Sequence, residues 1–168
     1  MVSLDLFFHN IIAYLDFSTR ALTRDHKPND PEEMPRIIKS GGRIDSYRDA
    51  AGNKVGPERV WMKTEDIPGL AMSRSFGDKV ACMVGVNAIP EISELRMTPD
   101  DKFIILASDG VWEFLENEDV SEIVYPFYLQ RNAEGAAEHL VRAAFKQWKK
   151  EENVIDDITC IVIFLDIR

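Results

Sequence analysis

Two acidic clusters in this 168-residue chain stand where strands are expected to end and begin. Asp109 follows a continuous apolar run at residues 102–107 (KFIILA), and Asp156 and Asp157 come just before another at residues 158–165 (ITCIVIFL). Such runs, bounded by polar turn residues, are the pattern of strands buried on both faces. An antiparallel pairing of the two would bring both acidic clusters to one sheet edge. Carboxylates held that way repel each other unless a cation or a proton sits between them. Oxygen-only clusters suit Mg²⁺ or Mn²⁺, which bind one or two carboxylates and keep several waters. The pattern also allows a plainer reading, in which Asp109 and Asp156 only cap turns.

The elements that must position these residues are legible in outline. Residues 20–31 are turn formers closed by Pro28, Asn29, Asp30 and Pro31. Residues 32–40 read as a short amphipathic helix, acidic at its start and stopped by Gly41-Gly42. Residues 43–68, rich in Asp, Gly, Pro and charge, read as a surface flap or hairpin with a turn at Ala51-Gly52-Asn53. Asn117 can cap a helix that carries Val120, Ile123, Val124, Phe127 and Tyr128 on one stripe, and Pro126 inside it predicts a kink or an early stop. A second helix is expected over 133–149, with Ala137, Leu140, Val141, Ala144, Phe145 and Trp148 at helical spacing.

The first nineteen residues are apolar, but no Lys or Arg precedes Arg20, and Asp5, His9, Asn10 and Asp16 interrupt the run. Neither a secretory signal nor a membrane span is expected there. The segment reads as a strand or helix packed on the core, or as the ragged start of a truncated domain. Lys and Arg number 20 and Asp and Glu 29, so the net charge is 20 − 29 = −9. That excess speaks against nucleic-acid binding and against a polybasic membrane anchor, which need clustered positive charge. Hydrophobic residues make up 45%, enough for a packed core. Cys82 and Cys160 cannot form a disulfide framework or a four-ligand zinc site, which points to a reduced chain in the cytoplasm or nucleus.

Four blocks, in order, resemble the C-terminal part of the metal-dependent protein serine/threonine phosphatases of the 2C type (the PPM family). They are residues 22–28 (LTRDHKP), 69–78 (GLAMSRSFGD), 105–112 (ILASDGVW) and 156–163 (DDITCIVI). Gly41-Gly42, Arg59-Val60 and Pro90-Glu91-Ile92 add smaller matches. The resemblance covers residues 20–166. It implies an α+β chain with part of the type 2C phosphatase fold, an antiparallel β-sandwich with flanking helices, lacking the N-terminal half. On this reading residues 1–19 are a divergent apolar segment, 20–168 the C-terminal part of the phosphatase domain and 43–68 a flap-like region.

The resemblance also implies a site. Asp109 and Asp156 match aspartates that ligate two Mg²⁺ or Mn²⁺ ions, and Asp25 matches the aspartate of a third, weaker metal site. Glu113 stands where the family often places another aspartate of that third site. Arg74 and Asp78 belong to a block that shapes the fold, as an ion pair or turn cap rather than as catalytic groups. The implied reaction is hydrolysis of phosphoserine or phosphothreonine on a protein substrate by a metal-activated water. Cys160, in a hydrophobic strand pattern without a basic neighbour, is not expected to act as a nucleophile.

The chain also departs from the family. The Asp-Gly-His-Gly-Gly block, whose aspartate bridges both metals, is absent, and so are a phosphate-gripping arginine and the histidine proposed as general acid. The one Asp-Gly pair is Asp109-Gly110, followed by Val111. His26 is more simply structural, and His9 and His139 have no motif around them. Half of such a fold leaves sheet edges unpaired, so an oligomer or a partner covering them is expected. Two functions follow: a truncated phosphatase that is weak or inactive alone, or a non-catalytic phosphatase-like module that binds or competes for phosphoprotein partners.

Overall fold

A computed structural model describes residues 10–15 and 18–167. Along the chain lie β1 (Asn10–Leu15), β2 (Ser18–Ala21), α1 (Met34–Lys39), β3 (Gly42–Arg48), β4 (Lys54–Met62), β5 (Pro68–Leu70) and α2 (Lys79–Met83). There follow β6 (Asp101–Ala107), α3 (Asp109–Trp112), α4 (Asn117–Leu129), α5 (Ala133–Glu151) and β7 (Cys160–Phe164). The expected mixture of antiparallel sheets and helices is present, divided between two compact units. One is Asp25–Pro90, and the other is made of the flanking segments, up to Arg24 and from Glu91 on.

The flanking unit is built on a four-stranded antiparallel sheet in the order β2-β1-β6-β7. Apolar side chains from its strands meet the apolar stripes of α4 and α5. Ile12, Phe103, Ile105 and Ala107 pack with Val111, Val120, Val124, Ala136, Leu140 and Ala144 in one buried cluster. Burying a side chain the size of Phe103 or Ile105 contributes about 1.5–3 kcal/mol each. Tyr14 stacks on Phe103 across the β1–β6 pair, ring centroids 4.8 Å apart. The apolar N-terminal segment thus enters the sheet as a strand in its described part; residues 1–9, 16 and 17 lie outside the described residues.

Several local expectations need correction. β7 was expected to be buried on both faces, but its exposure alternates, with Ile161 45% and Ile163 43% exposed. The cause is its place at the sheet edge with helices over one face: Cys160, Val162 and Phe164 pack on the core and the residues between them do not. Pro126 does not stop α4, which runs on to Leu129. Nor is Asn117 the cap; it is the first helical residue, and Glu116 precedes it as N-cap, its N–H donating to Asp119 Oδ2 at 3.2 Å. α5 extends to Glu151, and its buried stripe is Ala136, Leu140 and Ala144, while Phe145 is exposed.

The unit Asp25–Pro90 carries a three-stranded sheet, β3-β4-β5. Residues 43–68 contain the β3–β4 hairpin, and its turn passes through Gly52 at φ 87°. Asp49 organises that turn by accepting from the Ala51 and Asn53 backbone N–H groups at 2.9 and 2.8 Å. Ile37, Val60, Ala81, Val84 and Val86 form this unit's own buried cluster.

Candidate metal centre

The antiparallel β6–β7 ladder does what the apolar runs required. Ala107 pairs with Cys160, so the chain leaving β6 and the chain entering β7 meet at one end of the sheet. Beyond the last paired residues, the Ser108 N–H donates to the Thr159 carbonyl at 2.9 Å. The Ser108 hydroxyl donates to the Asp157 carbonyl at 3.2 Å and accepts from the Thr159 N–H at 3.1 Å. Gly110 then allows direct backbone packing, since a Cβ there would lie 2.3 Å from the Asp157 carbonyl oxygen. No side chain fits in that gap. The Gly110 carbonyl accepts from the Trp148 indole N–H at 2.7 Å, which ties the same turn to α5.

These contacts place the sequence candidates. Asp109, half-buried, opens the single turn of α3, and Glu113, exposed, closes it. Asp156 is exposed and accepts the Asp157 N–H on its own Oδ1 at 2.7 Å, a bond within adjacent residues. Glu113 and Asp156 line a common open cavity of about 390 Å³ with Phe114, Trp148 and Glu152. Asp25 belongs to the other unit, where it is exposed and pairs with Lys27 at 3.3 Å.

The donor chemistry fits a hard divalent cation in kind, because Asp109, Glu113 and Asp156 offer oxygen ligands on closely tied segments of one unit. Among the described residues, however, no group of three or more His, Cys, Asp or Glu side chains is gathered closely enough to hold an ion. The fit is that of a partial ligand set. Cys160 offers no alternative chemistry: it is half-buried against the α5 side of the core, and that burial pushes its thiol up from the ordinary range.

Arg74 and Asp78 have the structural roles expected of their block. Asp78 caps α2, accepting from the Ala81 N–H at 2.9 Å. Arg74 grips Glu33 with two bonds, Nη2 to Oε1 at 2.6 Å and Nε to Oε2 at 3.1 Å. Glu33 is the residue that sequence reasoning missed. Its side chain is 1% exposed, and Arg36 Nη2 and the Ser73 hydroxyl also donate to its Oε2, at 2.7 and 2.6 Å. Burial alone would raise the Glu33 pKa. The bonds from Arg74, Arg36 and Ser73 outweigh burial and hold the carboxyl far below the usual range. The one hint in the sequence is the i,i+3 spacing of Glu33 and Arg36, which does not announce burial. His26 contributes through its backbone, whose carbonyl accepts from the Ser73 N–H at 2.8 Å.

Comparison with known proteins bears on these blocks. The family model for protein phosphatase 2C matches residues 11–153. The chain is 41% identical over 146 residues to "Probable protein phosphatase 2C 12" of Oryza sativa subsp. japonica, covering 86% of this chain and 36% of that protein. It is 40% identical over 146 residues to "Probable protein phosphatase 2C 72" of Arabidopsis thaliana, covering 86% of this chain and 42% of that one. The chain thus spans about two fifths of the length of these relatives. In fold it is similar to a serine-threonine phosphatase 2C from Toxoplasma gondii, with a TM-score of 0.82 at 24% identity over 96% of this chain and 53% of that chain. A C. elegans sex determining protein gives 0.75 at 21% identity, over 96% of this chain and 36% of that chain.

Proposed function

Since the chain belongs to the protein phosphatase 2C family, we propose that it supplies the C-terminal part of a centre that hydrolyses phosphoserine and phosphothreonine on protein substrates. In this reading Asp109 and Asp156 would hold Mg²⁺ or Mn²⁺, Glu113 would assist from the same unit, and Asp25 would serve a weaker third metal. When bound, such ions lower the pKa of a water and neutralise charge on the phosphoryl oxygens. The chain's own residues hold the ligands in place. Ser108 ties the end of β6 to Thr159 and Asp157, Gly110 lets the two backbones touch, and Trp148 fixes the turn from α5.

The observation that carries this reading is the contact of Gly110 with the Asp157 backbone. It brings the Asp109 and Asp156 segments together with no room for a side chain between them. The Asp-Gly-His-Gly-Gly block is absent from these residues, so the chain alone turns over substrate weakly or not at all. The test is Mn²⁺-dependent hydrolysis of a small aryl phosphate by the purified chain, with calorimetric Mn²⁺ titration and an Asp109→Asn variant alongside. Mn²⁺ binding that Asp109→Asn abolishes, with little turnover, is the expected result. Equal Mn²⁺ binding by both proteins would overturn the ligand assignment. Phosphopeptide binding without metal or turnover would make the chain a phosphatase-like binding module instead.

A further inference from the structure

The open cavity beside the candidate centre has a composition of its own. Phe114, Trp148 and Ile155 line it half-buried, and Glu113, Glu152 and Asp156 line it exposed. It is an apolar floor with carboxylates around its mouth. Its walls follow α3, close α5 and run on through residues 152–156, so no sheet edge forms any part of it. Two contacts hold the floor. The Phe114 ring meets the Trp148 ring edge to face with centroids 4.8 Å apart, and the Trp148 indole N–H is bonded to the Gly110 carbonyl at 2.7 Å. The volume of about 390 Å³ falls at the lower end of the range for specific small-ligand sites, about 300–1,000 Å³.

The charge at the mouth is uncompensated. Among the described residues Glu113, Glu152 and Asp156 form no ion pair. The lysines of the last turn of α5 are engaged elsewhere: Lys149 Nζ lies 4.6 Å from the Phe145 ring centroid, and Lys150 Nζ donates to Gln147 Oε1 at 3.1 Å. Trp148 and Glu152 also stand at the C-terminal end of α5, where the carbonyl ends of a helix add partial negative charge.

Such a cavity suits a cation, and the spread of the acids says of what size. No three acidic side chains among the described residues converge closely enough to hold a metal ion, so those around the mouth match a charge distributed over a larger group. A guanidinium is planar, delocalised and weakly hydrated; it stacks on aromatic faces and offers five N–H donors to separate carboxylates. We propose that this cavity takes an arginine side chain of the phosphoprotein substrate, a few residues from the phosphorylated one. The place of the phosphate rests on the proposed phosphatase centre, with which the cavity shares Glu113 and Asp156. Glu152 belongs to the cavity alone, which allows the two to be tested apart.

The experiment is proton–nitrogen NMR of the intact chain titrated with phosphothreonine peptides that place one arginine at successive positions on either side of the phosphate. The same peptides with citrulline, the neutral isostere, are titrated alongside, each with and without Mg²⁺. The expected result is a saturable shift of the Trp148 indole N–H, with the best arginine peptide bound about tenfold more tightly than its citrulline twin. That factor is the worth of one exposed cation–π contact and one or two exposed ion pairs. Glu152→Lys removes the preference without touching a proposed metal ligand, and Phe114→Leu reduces it. Glu134→Lys, the same charge change at the other end of α5, leaves it unchanged. No shift at Trp148, equal affinity for both peptides, or an arginine preference that survives Glu152→Lys overturns the inference. Mg²⁺-dependent binding that ignores arginine does so while keeping the metal centre, whereas an arginine preference with no gain from Mg²⁺ keeps the cavity and overturns the centre.

Discussion

Replacing Gly110 by Ala tests the contact on which the candidate centre rests. The added Cβ would lie 2.3 Å from the Asp157 carbonyl oxygen and 3.0 Å from the Ile158 Cα, both backbone atoms without a rotamer to change. Ordinary contact needs a separation of about 3.4 Å, so the 156–159 segment must retreat by roughly 1 Å. Overpacking of this kind costs about 1–3 kcal/mol. The retreat also strains the Ser108 bonds to Asp157 and Thr159, each worth about 1 kcal/mol net. Against this, Ala gains about 1 kcal/mol of helix propensity over Gly. The balance is a loss of about 2–4 kcal/mol. In a chain of this size each kcal/mol moves the Tm by about 2–4 °C, so a fall of roughly 4–16 °C is expected. Urea titration and differential scanning calorimetry measure it, with Mn²⁺ titration as second readout. Asp109→Asn gives the contrasting pattern, with metal binding lost and stability nearly kept. A Gly110→Ala protein within about 0.5 kcal/mol of the parent, a change typical of inert surface sites, would refute the close-packing account.

Other outcomes follow from the remaining sites. Arg74→Met leaves the buried Glu33 carboxylate without its bidentate partner and should cost about 3–5 kcal/mol in urea unfolding. Because the folded-state pKa of Glu33 is depressed, its contribution is fully present above the ordinary glutamate pKa of about 4.3 and falls away as pH drops below it. Glu33→Gln should therefore lower stability at neutral pH and flatten its decline in acid. The Lys54 and Arg48 side chains bond to Asp45 and hold its pKa at about 2; Lys54→Met should move the carboxyl resonance titration of Asp45 upward. A thiol reagent should label exposed Cys82 quickly and Cys160, half-buried and less acidic, only on unfolding.

How much of this was legible in the sequence depended on where each partner lay. β6 and β7 announced themselves because continuous apolar runs bounded by turn residues admit few other readings. Their junction could be reasoned out because strand end and strand start must meet in an antiparallel pair. Arg74 and Asp78 were legible as structural groups, whereas Glu33 was not. A glutamate ahead of a helix looks like a solvated first-turn acid until Ser73 and Arg74, forty residues on, close over it. β1 could not be told from a helix, because its alternation is weak and one of its two partner strands begins only at residue 101. Pro126 misled for a local reason: a proline in a final turn loses one backbone bond, which the packing of Val120 and Val124 into the core outweighs.

The register of β1 also sets an order of events during synthesis. Asn10 pairs with Ala107 and Leu15 with Asp101, so β1 must wait for a partner made almost a hundred residues after it. At about 5–20 residues per second that wait lasts roughly 5–20 s. For much of it β1 has only β2 to pair with, while Asp25–Pro90, whose cluster draws on its own residues alone, can already close. The nascent chain therefore passes through a stage in which Asp25–Pro90 is folded and the β1–β2 hairpin still has the β6 side of β1 unpaired. That unpaired edge is the natural binding site for a holdase, and slowing elongation beyond residue 90 should lengthen its exposure.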